Sequence, residues 1–267
     1  MNELQEKLLD MLSWFHNFCT ENNITYYAVG GTALGAVRHN GFIPWDDDID
    51  VGMPRIDYEK FIELANRCTG KYIVEYPGLN NEFLYPFVKI YDTETTLIEN
   101  QRYKIIRGIY IDVFPMDGVG NSRKDSVKNF KKTDRMVNLL CAMRCAINKR
   151  RSKIKNLSIV AARLIPKFVL TPQSLVKRIE NKCKAYDYNE CEYVANCVGN
   201  WHEKEIMKRE WLGTPVLHNF ENIKIFLPQD FHSYLTALYG DYMKLPAEEK
   251  RVSHHDYLEL NIKKSYL

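Results

Sequence analysis

The stretch GGTALGAVRHNGFIPWDDDIDVGM, residues 30–53, sets four aspartates (Asp46, Asp47, Asp48 and Asp50) within five positions. Like charges this close raise one another's pKa and weaken a fold unless something offsets them. Ile49 to Gly52 reads as a strand. Alternate residues of a strand share a face, so Asp48 and Asp50 are expected to point one way while Ile49 and Val51 enter the core. Two carboxylates side by side suit a hard cation, and Mg²⁺ prefers one or two carboxylates completed by phosphate oxygens and water. The bland alternative is a set of solvated aspartates at a loop end. Sixteen residues before Asp46 stands Gly30, the first of Gly30-Gly31-Thr32. Paired glycines let a backbone approach a ligand closely, and a helix starting there offers N–H groups to phosphate. The alternative is a tight strand-to-helix turn. Thr32 is the expected N-cap of a helix to Arg38, and Arg38 either adds charge for phosphate or sits on the surface.

Working outward, apolar residues at Leu4, Leu8, Met11, Leu12, Phe15 and Phe18 have helical spacing. Tyr26 to Val29 is a short strand, and Pro54 suits the first turn of a helix to about Cys68. Lys71 to Glu75, Phe87 to Tyr91 and Thr95 to Ile98 are strand candidates. Gly108 to Phe114, GIYIDVF, is the strongest by β-branched and aromatic content. Asp112 lies between Ile111 and Val113 there, where an acid is costly without a partner, so it is the candidate third carboxylate of a two-metal site. Asp117, in Met-Asp-Gly, reads as a turn former. Residues 122–190 look helical and basic, with breaks at Pro166 and Pro172. Ile223 to Leu227 reads as a strand, Phe231 to Tyr239 as a helix, and the rest as a compact tail. The pattern is an α/β half followed by a mainly helical half.

The chain has 267 residues, 45% of them hydrophobic, enough for one large domain or two modest ones. Its net charge of +3 hides an asymmetry: residues 123–184 hold 18 Lys/Arg against 3 Asp/Glu, the remainder 19 against 31. MNELQEKLLDMLSWF carries acids and no continuous apolar run, so a secretory leader is not expected. No run of about eighteen apolar residues suggests a membrane span. Seven irregularly spaced cysteines suggest reduced thiols in a cytoplasmic protein. Cys183, Cys191, Cys197 and His202 fit no compact zinc finger.

The elements Gly-Gly-Thr, Leu-Gly-Ala-x-Arg, Gly-Phe-Ile-Pro-Trp and Asp-Asp-Asp-Ile-Asp within residues 30–53 resemble the LicD family. Phe87-Val88-Lys89 and Ile111-Asp112-Val113-Phe114-Pro115 also match it. So does the tail, with Tyr239-Gly240-Asp241-Tyr242-Met243, Leu245-Pro246, Lys250-Arg251 and His254-His255. The resemblance spans nearly the whole chain, although the basic middle matches only in character. It implies an α/β (α+β) fold: a nucleotidyltransferase (polymerase-beta-like) mixed-sheet core over 1–120 and a mainly helical half over 121–267 that completes the active site. It implies Mg²⁺-dependent transfer of phosphocholine from CDP-choline to a sugar hydroxyl of a surface glycan (teichoic acid, lipopolysaccharide or capsule precursor), with release of CMP. Wider relatives move ribitol phosphate from CDP-ribitol. By the same resemblance Asp48, Asp50 and Asp112 are the catalytic acids, Asp46 is an accessory metal ligand, and Asp47 faces away. Gly30, Gly31, Thr32, Arg38, Lys89, His254 and His255 are the donor-binding candidates. One Mg²⁺ or two are implied, with Mn²⁺ as a substitute. Asp112 is either a shared ligand or a general base. Tyr85, Phe87, Tyr91 and Tyr110 are aromatic candidates for choline, and Trp45 reads as packing.

Three readings fit the basic middle: a solvated helical face, an attraction to an anionic acceptor or membrane surface, or nucleic-acid binding. Residues 153–170, KIKNLSIVAARLIPKFVL, mix cations with apolar residues as an interfacial helix does. That suits a lipid-linked acceptor and peripheral placement at the inner face of the membrane. Nucleic acid is disfavoured because aromatic interleaving is missing. The rival functions are transfer of another CDP-linked alditol or glycerol phosphate, nucleotidyl transfer with pyrophosphate release, and a glycan-binding scaffold with a dead site.

Overall fold

The computed structural model describes all residues except Cys68, Thr69, 148–151, Lys167 and His254. In chain order the elements of the first half are α1 (Glu3–Glu21), β1 (Tyr27–Ala28), α2 (Gly30–His39), β2 (Asp50–Pro54), α3 (Arg55–Ala65), β3 (Tyr72–Glu75), β4 (Val88–Asp92), β5 (Thr96–Glu99), β6 (Ile106–Arg107) and β7 (Tyr110–Gly120). Then come α4 (Arg123–Arg144), α5 (Lys153–Arg163), α6 (Pro172–Cys183), β8 (Tyr193–Asn196), β9 (Ile206–Lys208), α7 (Arg209–Leu212), β10 (Val216–Phe220), β11 (Ile223–Leu227), α8 (Phe231–Tyr239) and β12 (Tyr257–Asn261).

A seven-stranded mixed sheet carries the order β1-β2-β7-β4-β3, with β8 pairing β7 and β9 pairing β8. β2 and β7 run parallel, with Asp50 opposite Asp112; β4 and β7 run antiparallel, with Lys89 opposite Asp112. Cross-strand partners share a face. Asp50, Asp112 and Lys89 therefore form one row across three neighbouring strands. The alternating residues Val51, Val88, Ile90, Ile111 and Val113 are completely buried, each contributing roughly 1.5–3 kcal/mol by burial. α1 starts at a capping box between Asn2 and Gln5 and adds Leu8, Leu12 and Phe15 to the same core. A second sheet, β12-β5-β6, sets Tyr257 opposite Glu99.

Several local expectations give way to tertiary structure. Asp48 precedes the strand, which opens only at Asp50. α2 begins at Gly30 with Val29 as N-cap and no side-chain cap; Thr32 Oγ1 instead accepts a hydrogen bond from the Asp50 N–H at 2.9 Å. α3 ends at Ala65, short of Cys68, which lies outside the described residues. β7 runs through Met116-Asp117-Gly118 rather than turning. Asp117 is buried and clamped by Arg55 through two bonds of 2.7 and 2.8 Å, and Arg55 also reaches Glu180 on α6 at 2.8 Å. Pro172 is the first residue of α6 rather than a break, with Thr171 and Ser174 forming its capping box. The helical reading of the basic region holds to Cys183. From Tyr193 the chain returns to strands, and two of them extend the main sheet. Cys183 and Cys197 lie beside Asp117, whereas His202 bonds Asp134 at 2.8 Å. The cysteines and that histidine do not form one site.

Candidate active site

The turn from β1 into α2 brings its glycines against the acids. Gly30 holds φ +54°, a left-handed conformation that favours glycine. A Cβ on Gly31 would meet Asp46 Oδ2 at 2.6 Å, and one on Gly30 would meet Asp50 Oδ2 at 3.4 Å. The paired glycines thus seat two carboxylates at a helix N-terminus, where the helix dipole favours negative charge. The Gly30 N–H donates to the Tyr234 hydroxyl at 2.9 Å. Gly30, Gly31 and Thr32 all stand at the acidic loop, and each has a visible part in positioning it.

Lys89 and His255 supply the charge balance. Lys89, with a side chain 1% exposed, donates to Asp112 Oδ1 at 2.7 Å. His255 Nδ1 lies 2.8 Å from Asp47 Oδ1 and its Nε2 lies 3.6 Å from Asp48 Oδ2. Ser253 donates to the other oxygen of Asp47 at 2.6 Å. Asp47 does not line the cavity, in keeping with its reading as the acid that faces away, but it anchors the histidine that reaches Asp48. Burial alone would lower His255, but its bond to Asp47 and the charges of Asp48 and Asp47 raise it to about 9. Burial pushes Asp47 up, and the bonds from His255 and Ser253 outweigh it and hold the carboxyl below its usual range.

Asp46 and Asp50 fare differently. Burial and the neighbouring charge of Asp48 push Asp46 to about 8. Burial and the charges of Asp48, Asp112 and Asp46 push Asp50 well above the usual carboxylate range. Burial raises Asp112 to about 6, with Lys89 opposing. Asp48, Asp50, Lys89, Asp112 and His255 line one cavity of about 240 Å³. The ligand atoms of Asp47, Asp48 and His255 lie within 4.8 Å of one another; neither Asp46, Asp48 and Asp50 nor Asp48, Asp50 and Asp112 form so tight a group. Arg38 turns elsewhere, donating to the Tyr242 carbonyl at 3.0 Å, and is not part of the cavity lining. His254 lies outside the described residues.

The cavity's other wall is aromatic. Lys89 Nζ stands 3.2 Å from the Tyr110 ring centre and 4.5 Å from that of Tyr85, while the Arg144 guanidinium stacks 3.6 Å from Tyr85. Phe87 and Phe114 pack with ring centres 4.6 Å apart. Glu99, at the end of β5, accepts hydrogen bonds from the Tyr85 and Tyr110 hydroxyls. Tyr91 is buried against Tyr110 and does not line the cavity.

A family model described as "LicD/FKTN/FKRP, nucleotidyltransferase domain" matches residues 23–138. Over 260 residues the chain is 30% identical to the lipopolysaccharide cholinephosphotransferase LicD of Haemophilus influenzae, covering 96% of each protein. The chain belongs to the LicD family. It is also 30% identical over 139 residues to an uncharacterized protein of Rickettsia prowazekii, covering 43% of this chain and 52% of that one.

In this LicD-family chain the acid row and Lys89 fall inside the matched domain, but Arg144 and His255 fall beyond it. Arg144 and Glu99 escape a reading of the sequence, as does the part of Asp47 in anchoring His255. Arg144 is one of 18 cations in the basic segment, and only its 7% exposure sets it apart. Glu99 sits one residue past the expected strand, which is the one local signal it offers.

Proposed function

We propose that this protein transfers phosphocholine from CDP-choline to a hydroxyl of a cell-surface glycan and releases CMP. Similarity to a cholinephosphotransferase along 96% of the chain carries this reading, and the acid row beside an aromatic-lined cavity supports it. The mixed sheet with its row of acids on β2 and β7 agrees with a nucleotidyltransferase-type core.

The donor set fits Mg²⁺. Asp46 and Asp50 are half-buried carboxylates whose charges repel, and glycine seats hold both in place. Asp46, Asp48 and Asp50 would hold the ion, and once bound it offsets the diphosphate charge and stabilises departing CMP. The chain's own groups do the rest. The acceptor oxygen attacks the β-phosphorus, the bond from that phosphorus to the CMP oxygen breaks, and the acceptor proton passes to Asp112. A pKa near 6 leaves Asp112 ionised at neutral pH and close enough to act as base. Lys89 fixes that carboxyl by binding Oδ1. His255, doubly protonated below about pH 9, holds the acidic loop through Asp47. Phe87 and Phe114 offer the trimethylammonium group an aromatic surface.

Product analysis decides between this reaction and its rivals. With CDP-choline, Mg²⁺ and a glycan acceptor, CMP and a phosphocholine-modified glycan are expected. Pyrophosphate released from CTP and phosphocholine would establish nucleotidyl transfer instead. Turnover of CDP-ribitol or CDP-glycerol in preference to CDP-choline would reassign the donor.

A further inference from the structure

α5 carries its large apolar side chains on the outside. Its inward residues are Ile159 and Ala162, 3% and 4% exposed, while Ile154 and Leu157 are 81% and 68% exposed. Val160 and, just beyond the helix, Leu164 continue the same stripe, exposed 41% and 77%. At 3.6 residues per turn these four fall within an arc of about 120°. Phe168 follows at 92% exposure. Scattered apolar residues on a surface are ordinary, but a one-faced group of this size marks an interaction site.

The charge around it selects the partner. The 45 residues between Asp134 and Glu180 hold 11 Lys/Arg and no Asp or Glu. A second copy of the chain would set those cations against themselves, which disfavours association through this face. Nucleic acid would match the charge but leave the aliphatic stripe in water. An anionic bilayer surface satisfies both, taking the apolar face at the acyl boundary and the cations at the headgroups. α5 has 11 residues, roughly 16 Å of helix, against about 30 Å of hydrocarbon, so it would lie in the plane. Among the described residues no helix is long and apolar enough to cross a membrane.

The inward side of α5 adjoins a wall of the acidic cavity. Arg163 on α5 donates to the Cys145 carbonyl at 3.0 Å, and the Arg102 N–H donates to the Arg144 carbonyl at 2.8 Å. Cys145 and Arg144 line the acidic cavity. Arg102, Lys104 and Arg163, with Met143, Ile165 and Leu170, line a second cavity of about 540 Å³ beside it.

We propose that the protein docks on an anionic membrane surface through α5 and the turn after it. Ile154, Leu157, Leu164 and Phe168 enter the acyl boundary, and Lys153 and Lys155 meet the headgroups. The docking stands whatever the donor. If the function proposed above holds, it brings the acidic cavity beside a lipid-tethered acceptor.

Vesicle flotation of the full chain tests this, using phosphatidylcholine alone and phosphatidylcholine with phosphatidylglycerol. The protein should float with the anionic vesicles and not with the neutral ones, and added salt should weaken binding. The triple change Ile154→Ser, Leu157→Ser and Phe168→Ser should cut partitioning by at least about tenfold. Lys153→Glu with Lys155→Glu should do the same. All five side chains are exposed, so the melting temperature and Mg²⁺-dependent CDP-choline binding should stay unchanged, which keeps this test separate from that of the function. Failure to float with anionic vesicles would overturn the proposal, as would flotation that the triple variant does not reduce. A dimer seen by light scattering and abolished by the triple variant would assign the face to a second copy and overturn it equally.

Discussion

With its side chain 1% exposed, Lys89 spends its charge on Asp112 at 2.7 Å and on the rings of Tyr110 and Tyr85. Its removal leaves Asp112 facing Glu99 and Asp48 without that cation. Lys89→Met keeps most of the volume, so the variant should fold while the Asp112 pKa climbs above about 6. The acid limb of the kcat/KM profile should then move to higher pH, and activity at neutral pH should fall on the order of a hundredfold. A pH–rate profile of both proteins checks this. Glu205 offers a second residue-scale test. Burial raises it from 4.5 to about 8, with a bond from the Trp201 N–H opposing. The folded state therefore holds a proton that the unfolded state releases. The resulting stabilisation is full below about pH 4.5 and is lost as pH rises through about 8. Denaturant titrations should show this decline, and Glu205→Gln should flatten it. Of the site, the acid row was the most legible part, because charged residues inside β-branched runs need a reason. Glu99 and Arg144 were not, since an ordinary acid and one cation among many acquire meaning only when the fold buries them together.

The elements show where local pattern suffices and where it fails. α8 runs from Phe231 to Tyr239 and β11 from Ile223 to Leu227, as their periodicity indicates. β7 exceeds its expected end because Gly118 is not a turn residue: a Cβ there would meet the Asp187 carbonyl oxygen at 2.4 Å. The glycine marks a close backbone approach within a strand. Asp117 stays in the sheet because Arg55, distant in sequence, neutralises it. That clamp ties α3, β7 and α6 together. Arg55→Leu would leave Asp117 buried without its cation, a loss of about 3–5 kcal/mol. Urea denaturation should register it as a lower midpoint. A change under about 1 kcal/mol would show that the clamp contributes little beyond what water supplies.

At the scale of the molecule, the site is assembled from distant parts of the chain. β2, β4 and β7 hold the acid row and Lys89, α4 brings Arg144, and the segment before β12 brings His255. Local pattern cannot announce such pairings, which is why the resemblance of the tail to a family signature was informative and its periodicity was not. Deleting residues 253–267 removes His255 and β12, four of whose five strand residues are exposed. The main sheet does not include β12, so the far-UV circular dichroism should be retained. Mg²⁺-dependent donor binding should fall by at least about tenfold, because Asp47 and Asp48 lose their cation. The proposed function rests on Asp48 and Asp50 forming a divalent-cation site that receives a CDP-linked donor. Titration calorimetry of CDP-choline, with and without Mg²⁺, tests it most directly in the natural protein, Asp48→Asn and Asp50→Asn. Binding should require Mg²⁺ and weaken by about a hundredfold or more in both variants, whose unfolding curves should stay intact. Undiminished binding in both variants, or equal binding without the metal, would contradict it.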